Sequence, residues 1–168
     1  MEKSVAQGKR SEALAAQDVA HTLEIVRIFD APRMLVYQMW STPDHLRKWS
    51  APKAYTIPAA RTDFREGGSW YARMHSADGK DYRVQGTYRE IVEGWRIVLT
   101  HTWLDENGKP EPETLITVTL DDQGPKTRMT FLQQGFESAE ARDGMAVGWN
   151  ECFDLLGAHL AHFAGPAA

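Results

Sequence analysis

One cysteine, Cys152, is all that this chain of 168 residues contains. No disulfide can close within it, and a reducing compartment is expected. Basic residues do not dominate either: 19 Lys and Arg face 23 Asp and Glu, a formal net charge of −4, which argues against nucleic acid as a partner. Long apolar runs are missing. No stretch approaches the ~20 residues that span a bilayer, and the polar, charged segment 1–17 has no apolar h-region. Neither a membrane span nor a secretory signal is expected, and the expected location is cytoplasmic. The chain shows no Gly-x-Ser-x-Gly elbow, no phosphate loop and no Gly-x-Gly-x-x-Gly. His159 and His162 stand three apart without a third ligand nearby in sequence, and the cysteine spacing of zinc sites is absent. No metal and no cofactor is therefore expected. Internal repeats and low-complexity runs are absent as well.

What is present is an ordinary globular balance, with 42% hydrophobic and 25% charged residues. The length suits one domain with a real core, expected over residues 21–165 behind a loose tail at 1–20. The C-terminal segment carries most information. Met145, Trp149, Cys152, Leu156, Leu160 and Phe163 fall at steps of four, three, four, four and three, one stripe along a helix over about 140–163. Ser138 can cap it and Gly165-Pro166 end it. Cys152 reads as a small buried hydrophobe in the stripe.

Upstream the pattern changes to period two. Leu23 to Phe29 reads as a strand. Pro32 opens a helix to about Trp40, and Thr42-Pro43-Asp44 caps and opens a second that ends near Trp49. Further strands are predicted at about 55–64, 69–75, 81–92, 96–103, 114–121 and 127–134, separated by Gly67-Gly68, Asp78-Gly79, Glu93-Gly94, Asn107-Gly108 and Gln123-Gly124-Pro125. Short turns make the sheet an antiparallel meander. A long amphipathic helix after such a run must lay its stripe on the sheet. If the sheet is curved, a lined cavity lies between them.

Alternation assigns faces. Trp70, Ala72 and Met74 point inward, as do Tyr82, Val84, Gly86, Tyr88 and Glu90. Ile97, Leu99, His101 and Trp103 follow, then Ile116, Val118, Leu120, Met129 and Phe131. Pairing through Asp78-Gly79 sets Trp70 opposite Gly86, where an indole covers exposed strand backbone. Pairing through Glu93-Gly94 brings His101 near Tyr88, with Glu90 within reach. The inner face is thus apolar and aromatic with a few polar groups.

Several motifs also carry a family resemblance. Phe29-Asp30-Ala31-Pro32-Arg33 with Val36, Trp40 and Pro43, then Asp63-Phe64-Arg65-Glu66-Gly67-Gly68-Ser69-Trp70, stand in order. Asp78-Gly79, Gly86-Thr87-Tyr88-Arg89-Glu90-Ile91, Thr127-Arg128-Met129-Thr130 and Gly148-Trp149 come after them. Over about Leu23 to Phe163 the chain resembles the START-like (SRPBCC, helix-grip) superfamily, in the branch named after the activator of the heat-shock-protein-90 ATPase. The resemblance implies an α+β helix-grip fold: a curved antiparallel sheet of six to seven strands wrapped around a long C-terminal helix, with two short helices after strand one. It implies no single reaction, because the superfamily binds, transports or transforms different lipophilic molecules. Two departures stand out. His101 occupies a place where the branch usually has a large aromatic, and the sequence lacks the extra N-terminal domain of the eukaryotic chaperone activators, so chaperone activation is not the expectation.

Three functions stay open. The first is binding of a small lipophilic or aromatic molecule between sheet and helix, with Trp49, Trp70, Met74, Tyr88, Leu99, Trp103, Trp149 and Phe153 as candidate contacts. The second is an enzyme in the same cavity, a cyclase, dehydratase or hydrolase, with Glu90 and His101 moving protons and Tyr88 orienting the substrate. Glu90 can equally be a structural ion-pair partner of Arg65 or Arg61, and His101 a histidine satisfied by Tyr88 or Thr130. Asp63 and Arg65 can salt-bridge across their turn. The third is a protein-interaction module of the chaperone-cofactor type. A homodimer is compatible with all three.

Overall fold

A computed structural model describes residues 19–163. Strand β1 (Thr22–Phe29) is followed by helices α1 (Arg33–Ser41) and α2 (Pro43–Trp49). Strands β2 (Tyr55–Thr62), β3 (Ser69–Ser76), β4 (Asp81–Val92), β5 (Arg96–Leu104), β6 (Thr114–Gln123) and β7 (Lys126–Gln134) come next, then helix α3 (Ala139–Ala161). The seven strands form one antiparallel sheet in the order β1-β7-β6-β5-β4-β3-β2. The helix-grip architecture expected from the sequence is the one found. The expected tail over 1–20, apart from Val19 and Ala20, and the Gly165-Pro166 stop lie outside the described residues. Among those described, no helix is long and apolar enough to cross a membrane.

Local chemistry explains the elements. Pro43 opens α2 and Asp44 sits in its first turn, where a negative charge meets the helix dipole. Thr42 flanks α2 without a side-chain cap, and its N–H closes α1 by donating to the Gln38 carbonyl. Ser138 does cap α3, its Oγ accepting from the Ala141 N–H at 3.1 Å. Gly79 turns the β3–β4 hairpin at φ +89°, a conformation glycine reaches without strain. Pro58 lies in edge strand β2, where the register with β3 slips between Thr56 and Ala59. An edge tolerates that missing donor.

The core forms where α3 lies on the sheet. Cys152, Phe153, Leu156 and Leu160 are buried beneath it, and each of the larger three stabilises the fold by about 2 kcal/mol through burial. They meet Ile116, Val118, Leu120, Met129 and Phe131 from the sheet, all inward as alternation requires. Trp40, Trp49, Phe131, Trp149 and Phe153 form one aromatic cluster with ring centroids 4.6 to 6.4 Å apart. Outside, Arg27 of β1 bonds Asp154 at 2.9 Å and the Asn150 side chain at 3.1 Å, tying α3 to the sheet edge. Phe163 departs from the predicted stripe. It is 47% exposed, because the helix ends at Ala161.

The β4–β5 ladder bends twice. At Gly86 the backbones approach so closely that a Cβ would lie 1.9 Å from the Thr100 carbonyl oxygen. Trp70 lies across from Gly86 in the register, as predicted, and its Nε1 donates to that same carbonyl at 3.1 Å. Farther along, the register slips between Tyr88 and Glu90, with Tyr88 opposite Leu99 and Glu90 opposite Val98. This bulge leaves Arg89 as the extra residue and reverses the facing of the residues from Glu90 onward.

Candidate functional site

Helix α3 stands off the sheet over its first half only. There a cleft of about 540 Å³ opens, lined by Pro52, Tyr55, Met74, Tyr82, His101, Trp103, Leu104, Met145 and Trp149 among others. The volume falls in the range of small-molecule sites. A second lobe of about 330 Å³ shares His101, Trp103 and Met145 with the cleft and continues toward Gln133 and Phe136. Two glycines one turn apart, Gly144 and Gly148, form the helix side. A Cβ on Gly144 would meet nothing within 4 Å, and one on Gly148 only the Pro52 ring at 3.7 Å. Glycine in a helix costs about 1 kcal/mol relative to alanine, so the two positions keep space open at a cost to helix stability.

Beneath Trp149 the interior closes. The space deeper in holds only about 80 Å³, room for a few waters. The cavity expected between sheet and helix is thus confined to one end of the helix, because the aromatic cluster fills the rest.

The sequence-predicted residues divide accordingly. Trp103 lines the cleft. Met74, His101 and Trp149 line both the cleft and the inner void. Trp49, Trp70, Tyr88 and Leu99 line the inner void and not the cleft. Trp49 is fully buried, its Nε1 donating to the Met39 carbonyl at 3.1 Å. Phe153 lines neither space. It is fully buried and packs on Trp149 and Phe131, a core position one turn beyond the cleft. Glu90 also departs from expectation. The bulge at Arg89 turns its carboxylate out to Arg96 Nε, 3.3 Å away, and gives the inner side to Ile91. The partners foreseen for Glu90, Arg61 and Arg65, are not the ones it meets; Arg65 bonds Asp63 across the turn at 2.9 Å, as predicted. Alternation did not single out Tyr55, Pro52, Gly144, Val147, Gly148, Glu111 or Glu151. The two helical glycines were the available signal, since a surface helix seldom keeps a pair of them without a use for the space.

His101 sits at the back of the cleft, 5% exposed, amid the rings of Trp70, Trp103 and Trp149 at 5.7, 5.3 and 6.1 Å. Burial pushes its pKa down to about 4, against a smaller upward pull from a hydrogen bond to its own backbone. The ring is therefore neutral at pH 7. The wall beside it is held by a buried polar chain: Trp149 Nε1 donates to Gln133 Oε1 at 2.8 Å, Gln133 Nε2 to Thr114 Oγ1 at 2.8 Å, and Thr114 Oγ1 to the His101 carbonyl at 3.2 Å. The chain fixes Trp149 and the His101 backbone together. Tyr88 lies apart, its hydroxyl pushed up to about 12 by burial and bonded to Thr62. Cys152 is a buried thiol pushed up to about 12, neutral as its place in the stripe implied.

At the far end of α3, His159 meets a residue distant in sequence. Its Nε2 lies 3.0 Å from His45 Nδ1 on α2. Burial, then the neighbouring His45, lowers its pKa. Among the described residues, no group of three or more His, Cys, Asp or Glu is arranged to hold a metal.

A sequence model of the family described as "Activator of Hsp90 ATPase homolog 1-like protein" matches residues 30–161. Solved structures share the fold. The AHSA1 protein from Silicibacter pomeroyi superposes with a TM-score of 0.76 at 21% identity, over 83% of this chain and 97% of that one. A protein from Chromobacterium violaceum gives 0.75 at 25% identity, over 83% and 96%. One from Arthrobacter aurescens gives 0.76 at 29% identity, over 85% and 87%. No curated protein matches the chain in sequence.

Proposed function

The chain belongs to the activator of Hsp90 ATPase homolog 1-like family, and from that premise we propose that it binds a small lipophilic or aromatic molecule in the cleft between the first half of α3 and the sheet. One observation carries this. The cleft is walled by Met74, Tyr82, Trp103, Met145 and Trp149, and is kept open by helical glycines that touch nothing, or almost nothing, across it. Apolar surface left unpacked in a concave cleft is where an apolar ligand gains most. Binding is favoured over turnover because Glu90 turns away to Arg96, which separates the acid–base pair an enzyme would have used.

Gly144→Leu tests the assignment. The side chain enters empty cleft, and a better helix former replaces glycine, so the variant is expected to melt no lower than the parent. Titration with the neutral fluorophore N-phenyl-1-naphthylamine should give saturable enhancement with the parent and at least tenfold weaker binding with Gly144→Leu. Equal binding by both, or none by either, removes the cleft as the site.

A further inference from the structure

The cleft has a sign. Glu111 and Glu151 line it and Glu137 lines the adjoining lobe, yet no Lys or Arg lines either space. Among the described residues, none of these three carboxylates is in an ion pair. The site is thus apolar at its walls and anionic at its edges. An anionic ligand would leave its charge beside these carboxylates with no cation to meet it, whereas a cationic one gains from them.

The back wall agrees. His101 is neutral at pH 7, and a neutral imidazole offers one N–H donor and one bare nitrogen that accepts. Among the described residues, His101 hydrogen-bonds only through its main chain and to its own backbone, which leaves a ring nitrogen on the cleft wall for a ligand. The ring is 5% exposed, so little of it faces water before a ligand arrives. The walls contribute as well. Trp103, Trp149 and Tyr82 line the same space, and aromatic rings attract ammonium groups, more strongly where water is excluded. Carboxylate edge, accepting imidazole and aromatic wall all favour the same ligand charge.

We propose that the ligand of this cleft is an aromatic molecule bearing a protonated amine, and that Glu111 and Glu151 set that preference. The proposal rests on the cleft being a small-molecule site.

Three probes that share one ring system test it: 1-naphthylmethylamine, 1-naphthalenemethanol and 1-naphthoic acid, titrated calorimetrically at pH 7.5 and low salt. The amine should bind at least about tenfold tighter than the acid, with the alcohol between, as expected for one or two partly screened charge contacts. In the Glu111→Gln/Glu151→Gln double variant the ratio of amine to acid affinity should shrink to about threefold or less. If the acid binds as well as the amine while the alcohol still binds, the charge preference is refuted and the cleft stands as a neutral apolar site. A ratio that survives the double variant also refutes it, because the overall charge of −4, not these two residues, then sets the preference. If no probe binds, the small-molecule site and its charge preference fall together.

Discussion

Gly86→Ala is expected to lower folding stability by more than about 4 kcal/mol, beyond the range of most single substitutions. A Cβ at this position would lie 1.9 Å from the Thr100 carbonyl oxygen, 2.7 Å from its carbon and 2.4 Å from Trp70 Nε1. Two of those atoms are backbone of the neighbouring strand, so no rotamer change relieves the clash. β4 and β5 must separate, which also breaks the Trp70–Thr100 hydrogen bond and the bond from the Thr87 N–H to Thr100 Oγ1. In a chain of this size the melting temperature should fall by about 10 °C or more. Gly144→Ala is the control: it adds the same methyl where nothing lies within 4 Å and should be neutral or stabilising by up to about 1 kcal/mol. A loss below about 1 kcal/mol for Gly86→Ala, by urea unfolding, would mean that the two strands do not pinch there.

Acid should destabilise the protein through His101. In the unfolded chain this histidine titrates near 6.5, and in the fold burial holds it at about 4. Between those values the unfolded state binds more protons than the native one, so stability rises with pH across that window and is lost as pH falls through it. The gap corresponds to about 3 kcal/mol. His101→Phe keeps a ring among Trp70, Trp103 and Trp149 and removes the titration. Stability measured by urea unfolding at pH 7, 5.5 and 4 should therefore drop about 3 kcal/mol further for the parent than for the variant. Parallel curves would show that His101 is solvated or already charged.

Most of the architecture was legible because the apolar period separates strands from helices along the chain, and glycines mark the turns. Trp70 over Gly86 could be placed because the Asp78-Gly79 turn fixes the register on either side of it. Glu90 could not. Parity counts outward from a turn, and one extra residue at Arg89 reverses it with no local sign, since Arg89 is an ordinary strand residue to any pattern. Phe153 was misplaced for a related reason. It falls one turn after Trp149, on the side of the helix that meets the aromatic cluster, and spacing alone cannot say where along a stripe packing ends and open space begins. That boundary is set by Trp40 of α1, Trp49 of α2 and Phe131 of β7, which the fold brings to α3 from elsewhere in the sequence. Gly144 and Gly148 marked it from the helix side. His101 faced inward as alternation required, while its partners in the wall, Gln133 and Thr114, come from two other strands.

Indole resonances offer the most direct check on the cleft. The chain has six tryptophans, each with one Nε1–H signal in a ¹⁵N–¹H correlation spectrum. Trp103 and Trp149 line the cleft, Trp49 is sealed in the core, and Trp95 is 44% exposed in the β4–β5 turn away from it. Adding 1-naphthalenemethanol should shift the Trp103 and Trp149 signals along one saturable curve and leave those of Trp49 and Trp95 in place. Saturable shifts at Trp95 without change at Trp103 and Trp149, or no shift at any indole, would contradict a ligand-binding cleft between α3 and the sheet.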